Sequence, residues 1–353
     1  FDMHNDYGWA VKDEHGAQAK GLKQLFPGDI AIFTLDDEAT RRRGARADHV
    51  VTISFRDIQP EDLAMLKTTL DLSDSMIDAA YELQKKWRDG WIKRLIDAEG
   101  ETMDALKDEL SSSMASVQAL QRRVRRFERF AFLQPDAIED SAQKILEFIE
   151  NGKSIVLEFG RYGSALEAYI LVANYLTRRI HSLYVEEVEK AMGDESAEPR
   201  QLLITIEEAH KFLDPTIARQ TIFGTIAREL RKYNVTLLIV DQRPSGIDEE
   251  VMSQIGTRVT ALLDNERDIG AVLTGISGAG GLREVLARLD TKQQAIIMGH
   301  AVPMPVVVKT RTYDTDFYAA ISSEFSSDGE KQASGAIKTA EDRARDRDTR
   351  RLR

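Results

Sequence analysis

The chain has 353 residues, 42% of them hydrophobic and 30% charged, a balance that builds a sizeable buried core and excludes a disordered chain. Its formal charge of −11 argues against a broad nucleic-acid-gripping face, so any such contact is expected to be local. The absence of cysteine excludes disulfides and thiolate metal sites and fits a cytoplasmic protein; no apolar run reaches the ~18 residues that would span a bilayer, so no membrane partner is expected.

In chain order, FDMHNDYG at residues 1–8 reads as the exit of a strand. The chain opens without an initiator Met, and nothing resembles a signal peptide, so it is expected to be a piece of a longer protein. Residues 28–55 hold the short strands DIAIFTL and HVVTISF around the arginine-rich DDEATRRRGARAD. In FRDIQPEDL, Pro60, Glu61 and Asp62 suit the first turn of a helix. From there to Phe132 the spacing of Met76, Ile77, Ala80 and Leu83, then Trp87, Trp91 and Leu95, predicts helices. The basic RRVRRFERF within that block is read as a solvated helix face.

After Pro135 helix and strand alternate. DSAQKILEFIENG is a helix capped by Asp140 or Ser141 and ended by Gly152. Then come the strand SIVLEFG, a long helix over 164–191, the strand LLITIE, a helix over 216–233, and the strand VTLLIVDQRP, which Pro244 ends. RVTALLD, QAIIMG and PVVVKT are later short strands. Continuous apolar strands separated by helices predict an α/β fold with a mainly parallel sheet covered on both faces. From about Thr315 onward Ser, Gly and mixed charge dominate, and EDRARDRDTRRLR reads as a frayed helical or disordered tail.

NGKSIVLEF contains Gly152-Lys153-Ser154, the last letters of a phosphate-binding loop GxxxxGK[ST]. That loop must lie between a strand and a following helix, with backbone N–H groups facing the phosphates. Here Glu147 holds the first-glycine position, a helix precedes and a strand follows, so Gly152 is read as a helix cap. No other GK[ST] exists in the sequence, and the loop is expected upstream of Phe1.

LLITIEEAHKFL carries the stronger signal. An acid ending a buried strand can orient Mg²⁺ through its water shell, and the next acid can position an attacking water; Glu207 and Glu208 are the candidates. Gln242, at the tip of the following strand, is placed to sense a γ-phosphate. The helix between them carries Arg228, Arg231 and Lys232, and its arginines could reach a neighbouring subunit's site. Asp2, His4 and Asp6 stand where a strand leaves the sheet and are candidates to line the same crevice. His210 and His15 are read as lone histidines without a catalytic role.

Together FDMHNDYG, DIQPEDL, LLITIEEAHKFL, IARELRKYN and LLIVDQRPSGIDEEVMSQIGTRV resemble, in order and spacing, the HerA-type ATPases of the HerA/FtsK superfamily, over residues 1–312. The resemblance implies a RecA-like P-loop core forming a homo-hexameric ring that uses ATP and Mg²⁺ to drive double-stranded DNA through its pore, working with a NurA-type nuclease or another effector. By position Glu207 and Glu208 match the family's Walker B pair, Gln242 its sensor, and Arg231, or Arg228 one turn earlier, its arginine. Asn5 and Asp6 replace the family's common Gly and Glu, and Asn234 replaces a Gly. The implied organisation is a first core part over 1–55, a helical insertion over 56–135, the rest of the core over 136–315 and a charged tail over 316–353. The segments 161–164 and 278–281 are pore-loop candidates by position. Two alternatives are a conjugation or secretion ATPase of the same superfamily and a non-hydrolysing scaffold subunit.

Overall fold

The structure, a computed structural model, describes residues 1–12, 16, 18–137, 139–191, 199–218, 221–228, 233–276 and 278–323. A small antiparallel hairpin, β1 (Val11–Lys12) and β2 (Gln18–Ala19), precedes the helix α1 (Leu22–Leu25). The core then begins with β3 (Ile30–Thr34), all five residues buried, followed by α2 (Asp37–Arg42) and β4 (His49–Val50). The predicted strand HVVTISF is broken: β4 pairs in parallel with β3, whereas β5 (Ile53–Ser54) pairs in parallel with β6 (Leu133–Gln134).

The helical segment leaves at β5 and returns at β6, so its two stems lie side by side. It comprises α3 (Pro60–Ala64), α4 (Lys67–Leu70), α5 (Asp74–Trp87), α6 (Trp91–Asp97), α7 (Gly100–Glu109) and α8 (Met114–Val124). The apolar spacing from Met76 to Leu95 falls on two helices, α5 and α6. Gly90, at φ +75°, separates α5 from α6 in a conformation that glycine adopts without Cβ strain. Trp91 is fully buried, and its indole N–H donates to Ile58 O at 2.9 Å. In the arginine-rich stretch Arg126 and Arg129 pair with Glu167, and Arg123 with Asp71. This basic face is thus partly neutralised by its own fold.

The segment is tied to α10 (Leu166–Lys190) through Asp62 in DIQPEDL. Its buried carboxylate accepts from Arg178 Nη2 at 2.8 Å, Asn174 Nδ2 at 2.8 Å and Gln59 N at 2.9 Å. One contiguous hydrophobic cluster runs from Met3 through the helical segment to Met252.

Between these come α9 (Ser141–Glu150) and β7 (Ser154–Glu158). Asp140 caps α9, accepting from Ala142 N at 2.9 Å. Gly152, at φ +78°, ends it: Gly152 N donates to Ile149 O and Lys153 N to Phe148 O, both at 2.9 Å. This paired closure is the Schellman motif, so Gly152-Lys153-Ser154 is a helix cap leading into a strand.

β7 pairs in parallel with β3; farther along, β8 (Leu202–Glu207) pairs in parallel with β9 (Val235–Val240). Residues 1–2 join the two groups: Asp2 N donates to Leu157 O at 2.9 Å, and Phe1 N to Thr205 O at 3.0 Å. The resulting order is β4-β3-β7-(residues 1–2)-β8-β9, the mainly parallel α/β arrangement expected of a RecA-like core. The helix predicted over 216–233 is α11 (Ile222–Arg228) within the described residues. Thr221 Oγ1 caps it by accepting from Gly224 N at 2.8 Å. Beyond α12 (Glu249–Gln254), α13 (Glu266–Val272) and α14 (Ala279–Leu286), the last three strands depart from the parallel expectation. β10 (Thr257–Thr260), β11 (Gln294–Gly299) and β12 (Val306–Lys309) form a separate antiparallel sheet over its own small core. Residues 315–323 are helical, and Lys20 N donates to Tyr318 Oη at 3.2 Å; the predicted tail EDRARDRDTRRLR lies outside the described residues.

Candidate nucleotide site at the carboxyl edge of the sheet

Five strand exits meet at one edge of the sheet, and each delivers an acid: Asp36 after β3, Glu158 at the end of β7, Asp2, Glu207 at the end of β8 with Glu208 next, and Asp241 after β9. Three are committed to structure. Asp36 caps α2, accepting from Ala39 N at 3.1 Å, and pairs with Arg161 Nε at 3.3 Å; Arg161, a pore-loop candidate, is engaged there. Asp2 is buried, and its two oxygens accept from Asp6 N and Tyr7 N, each at 2.9 Å. Burial pushes its carboxyl above the usual range, opposed by those N–H groups. Glu158 is fully buried; Arg43 and Thr40 donate to its Oε2. Burial raises its pKa too, against the pull of Arg43. A Cβ on Gly8 would stand 2.4 Å from Glu158 Oε1, which is why the loop needs glycine there.

The loop that follows Asp2 leaves His4 and Asp6 exposed. Asn5 takes φ +61°, and Asn234 φ +57°. Both positions where the family commonly has glycine are therefore left-handed, a region Asn tolerates well. The Asn5 side chain also exchanges hydrogen bonds with Gly160, accepting from its N at 2.7 Å.

Glu207 is held by two tyrosines absent from the sequence reading. Tyr169 Oη donates to Glu207 O at 2.8 Å and accepts from Glu207 N at 3.2 Å, clamping the main chain. Tyr7 Oη donates to Glu207 Oε1 at 2.5 Å. Burial and this carboxylate raise the Tyr7 pKa, so the phenol keeps the proton it donates. Phe159, Tyr169, Phe212 and Phe223 pack in a chain of edge-to-face and tilted contacts, with centroids 5.1, 5.3 and 4.7 Å apart. They seat the turn after β8 on α10.

Glu208 turns sharply away at φ 50°, ψ 43°. A left-handed glutamate is uncommon and costs roughly 1–3 kcal/mol, a strain that clusters at functional sites. His210 is not a lone histidine. Its ring lies between Asp241 Oδ2, 2.9 Å from Nδ1, and Glu208 Oε2, 3.7 Å from Nε2. The pairing was hidden because Asp241 is 31 residues away and meets His210 only through the β8–β9 register.

β8 and β9 pair up to Glu207 and Val240, so Gln242 stands just past the neighbouring tip, exposed. Glu207, Glu208, Gln242, Asp2, His4 and Asp6 thus gather at one edge. Arg228 does not join them: α11 carries the chain back toward the start of β9, where Leu202 N donates to Asn234 O at 2.8 Å. Arg231 and Lys232 lie outside the described residues, as does His15.

For Mg²⁺ the donor set fits. Glu207 Oε2 is buried with no hydrogen-bond partner among the described residues, and Mg²⁺ characteristically takes one or two carboxylates, waters and substrate phosphates rather than a full protein cage. No cluster of three or more acidic or histidine ligands occurs among the described residues.

The model of the family described as "Helicase HerA, central domain" matches residues 1–180. The chain belongs to the HerA family. The "DNA double-strand break repair helicase HerA" of Sulfurisphaera tokodaii is 26% identical over 318 residues, which cover 89% of this chain and 59% of that protein. The HerA protein of the same description from Pyrococcus furiosus is 27% identical over 341 residues, covering 88% and 58%. That of Sulfolobus acidocaldarius is 32% identical over 191 residues, covering 53% and 37%. The chain therefore spans less than two thirds of these HerA relatives. Among solved structures, VirB4 of Thermoanaerobacter pseudethanolicus aligns with a TM-score of 0.48 at 15% identity, covering 89% of this chain and 99% of that one. No helix among the described residues is long and apolar enough to cross a membrane.

Proposed function

We propose that this chain supplies the catalytic acids of an ATP-driven, ring-forming motor that moves double-stranded DNA, as the HerA family name suggests. The observation that carries this reading is the Glu207-Glu208 pair at the carboxyl end of β8, beside the tip of β9 that leads to Gln242. In this reading the phosphate-binding loop comes from a segment preceding Phe1. The outer edge of β9 has no strand partner among the described residues, and Leu238 and Val240 on it are exposed, which suits completion of the sheet by further chain.

The reaction is hydrolysis of the terminal phosphoanhydride. A water oxygen bonds to the γ-phosphorus, the bond to the β,γ-bridging oxygen breaks, and ADP leaves with that electron pair. Glu208 orients the water and accepts its proton. Glu207 would hold Mg²⁺ through its water shell; the ion, when bound, neutralises charge on the phosphates. Gln242 contacts the γ-phosphate or the attacking water, and the exposed His4 and Asp6 line the crevice while Asp2 shapes their loop. Arg228, which lies on the side of the core away from its own Glu208, serves the site of the next subunit in a homo-hexamer, and Arg231 is assigned the same role. With a net charge of −11, DNA contact is confined to a few pore residues, and a NurA-like nuclease or another effector uses the translocated duplex. The helical block over 56–135 is an insertion in this core. The intact acid pair disfavours the scaffold alternative.

Replacing Glu208 by Gln in the longer protein that carries the loop tests the assignment. ATP turnover is expected to fall ~10³-fold or more, at the upper end of losses for a single preorganised group, with nucleotide binding retained. Turnover at the wild-type rate would remove Glu208 from this role.

A further inference from the structure

We infer that His210, oriented by Asp241, is the positioning residue for Glu208. The inference rests on the proposed role of Glu208 and adds the device that holds it. Asp241 has a side chain only 4% exposed, and three donors fix it: His210 N at 2.8 Å, His210 Nδ1 at 2.9 Å and Arg243 N at 2.5 Å. The same carboxylate therefore locks both the main chain of the turn after β8 and the imidazole that projects from it. With Nδ1–H donated to Asp241, it is an N–H on the other ring nitrogen, Nε2, that would hold the Glu208 carboxylate, whose Oε2 lies 3.7 Å away. An acid that fixes one imidazole nitrogen so that the other can serve a reacting group is a general orienting arrangement. A 3.7 Å separation exceeds a hydrogen bond, and such contacts tighten when substrate arrives.

The surroundings favour the ring over its competitor. Lys211 Nζ also approaches Glu208 Oε2, at 3.9 Å, but it is a flexible stem with no partner holding it against Glu208 alone. His210 is seated: a Cβ added to Gly246 would stand 3.1 Å from His210 Cβ, so glycine there lets the DQRPSG segment pass close against the base of this side chain. Because Asp241 immediately precedes Gln242, the pair also ties the water-orienting acid to the tip that carries the γ-phosphate sensor. Movement of that tip is transmitted to Glu208 through one hydrogen-bonded ring.

The test has two arms. In the full-length protein, His210→Ala and Asp241→Asn are each expected to lower kcat ~10- to 100-fold, the usual cost of removing an orienting partner, with KM for ATP changed less than about twofold. His210→Gln, whose amide reaches the Nε2 position, is expected to recover part of kcat. His210→Asn, which replaces only Nδ1, is expected not to. In this chain labelled with ¹⁵N-histidine, the His210 ring resonances are expected to move in both Asp241→Asn and Glu208→Gln. A His210→Ala enzyme with wild-type kcat, equal losses in the Gln and Asn variants, or His210 resonances unmoved by Asp241→Asn would each overturn the inference. A wild-type full-length protein without ATP turnover would instead overturn the proposed function on which it stands.

Discussion

Arg178→Leu asks whether the motif DIQPEDL is a structural tie or part of the site. Asp62 is fully buried and has four donors: Arg178 through Nη2 at 2.8 Å and Nε at 3.3 Å, Asn174 at 2.8 Å and Gln59 N at 2.9 Å. The substitution leaves a buried carboxylate with two of them. Breaking a buried pair from one side costs about 3–5 kcal/mol; the donors that remain place this loss near the lower end, about 3 kcal/mol. With an unfolding entropy of roughly 2.1 cal/mol/K per residue, a chain of this size loses about 0.7 kcal/mol per degree at its midpoint, so Tm should fall by about 4 °C.

The loss must also depend on pH, with a definite sign. Burial raises the Asp62 carboxyl above its ordinary value, and Arg178 is the main group opposing that rise. Without Arg178 the folded pKa rises further above the unfolded one. The native state then holds more protons between the two values, so stability is present below about pH 4 and is lost as pH climbs through the folded pKa. Urea unfolding at pH 4.5 and 7.5 should therefore show a small penalty at the lower pH and most of it at the higher. The double variant Asp62→Asn/Arg178→Leu should recover much of the loss at pH 7.5. An equal penalty at both pH values would refute the burial argument. Loss of ATP turnover in the full-length protein without any loss of stability would place the motif in the site.

Tyr7→Phe removes the phenol that donates to Glu207 Oε1; the Mg²⁺ concentration for half-maximal ATP turnover should rise several-fold, and an unchanged titration would deny Tyr7 a hold on the acid. Lys153→Ala should leave ATP turnover and nucleotide affinity at wild-type levels, because Lys153 follows a helix cap and its amine donates to Gly28 O; loss of nucleotide binding would restore the phosphate-loop reading of Gly152-Lys153-Ser154. Glu158→Gln should destabilise the protein less at pH 7 than at pH 4.5. Burial disfavours the wild-type carboxylate and Gln mimics its neutral form, so thermal midpoints diverging in the opposite direction would show Arg43 outweighing burial.

What was legible in the sequence had a local cause. α9 announces itself through Asp140 and Gly152, one residue at each end supplying the missing hydrogen bonds. LLITIE is legible as a strand because it is a short, nearly continuous apolar run, of which Ile204 and Ile206 are buried, and the acids mark where that run ends. What stayed hidden depends on contacts between distant segments. Tyr7 and Tyr169 look like any surface or core tyrosine until the fold brings them 200 and 38 residues along the chain to Glu207. β10, β11 and β12 read as three more parallel strands because apolar composition does not encode pairing direction. β12 follows β11 directly, whereas β10 meets β11 only across α13 and α14, so the antiparallel register is fixed by tertiary pairing.

The same division explains why the two glutamates were readable and their conformations were not. Asn5 and Asn234 take left-handed backbones with a residue type suited to them, so those turns are inexpensive. Glu208 takes one without that advantage, at φ 50°. The aromatic chain from Phe159 to Phe223, the Tyr169 clamp on Glu207 and the fixed Asp241 carboxylate all bear on this one turn. A strained backbone persists only where its surroundings over-determine it, and here the three constraints come from α10, β9 and α11. The direction of Glu208 is therefore set by the packing of the whole core. Substitutions at Tyr169, which clamps Glu207, or Phe212, which packs between Tyr169 and Phe223, belong with the acid as determinants of its geometry.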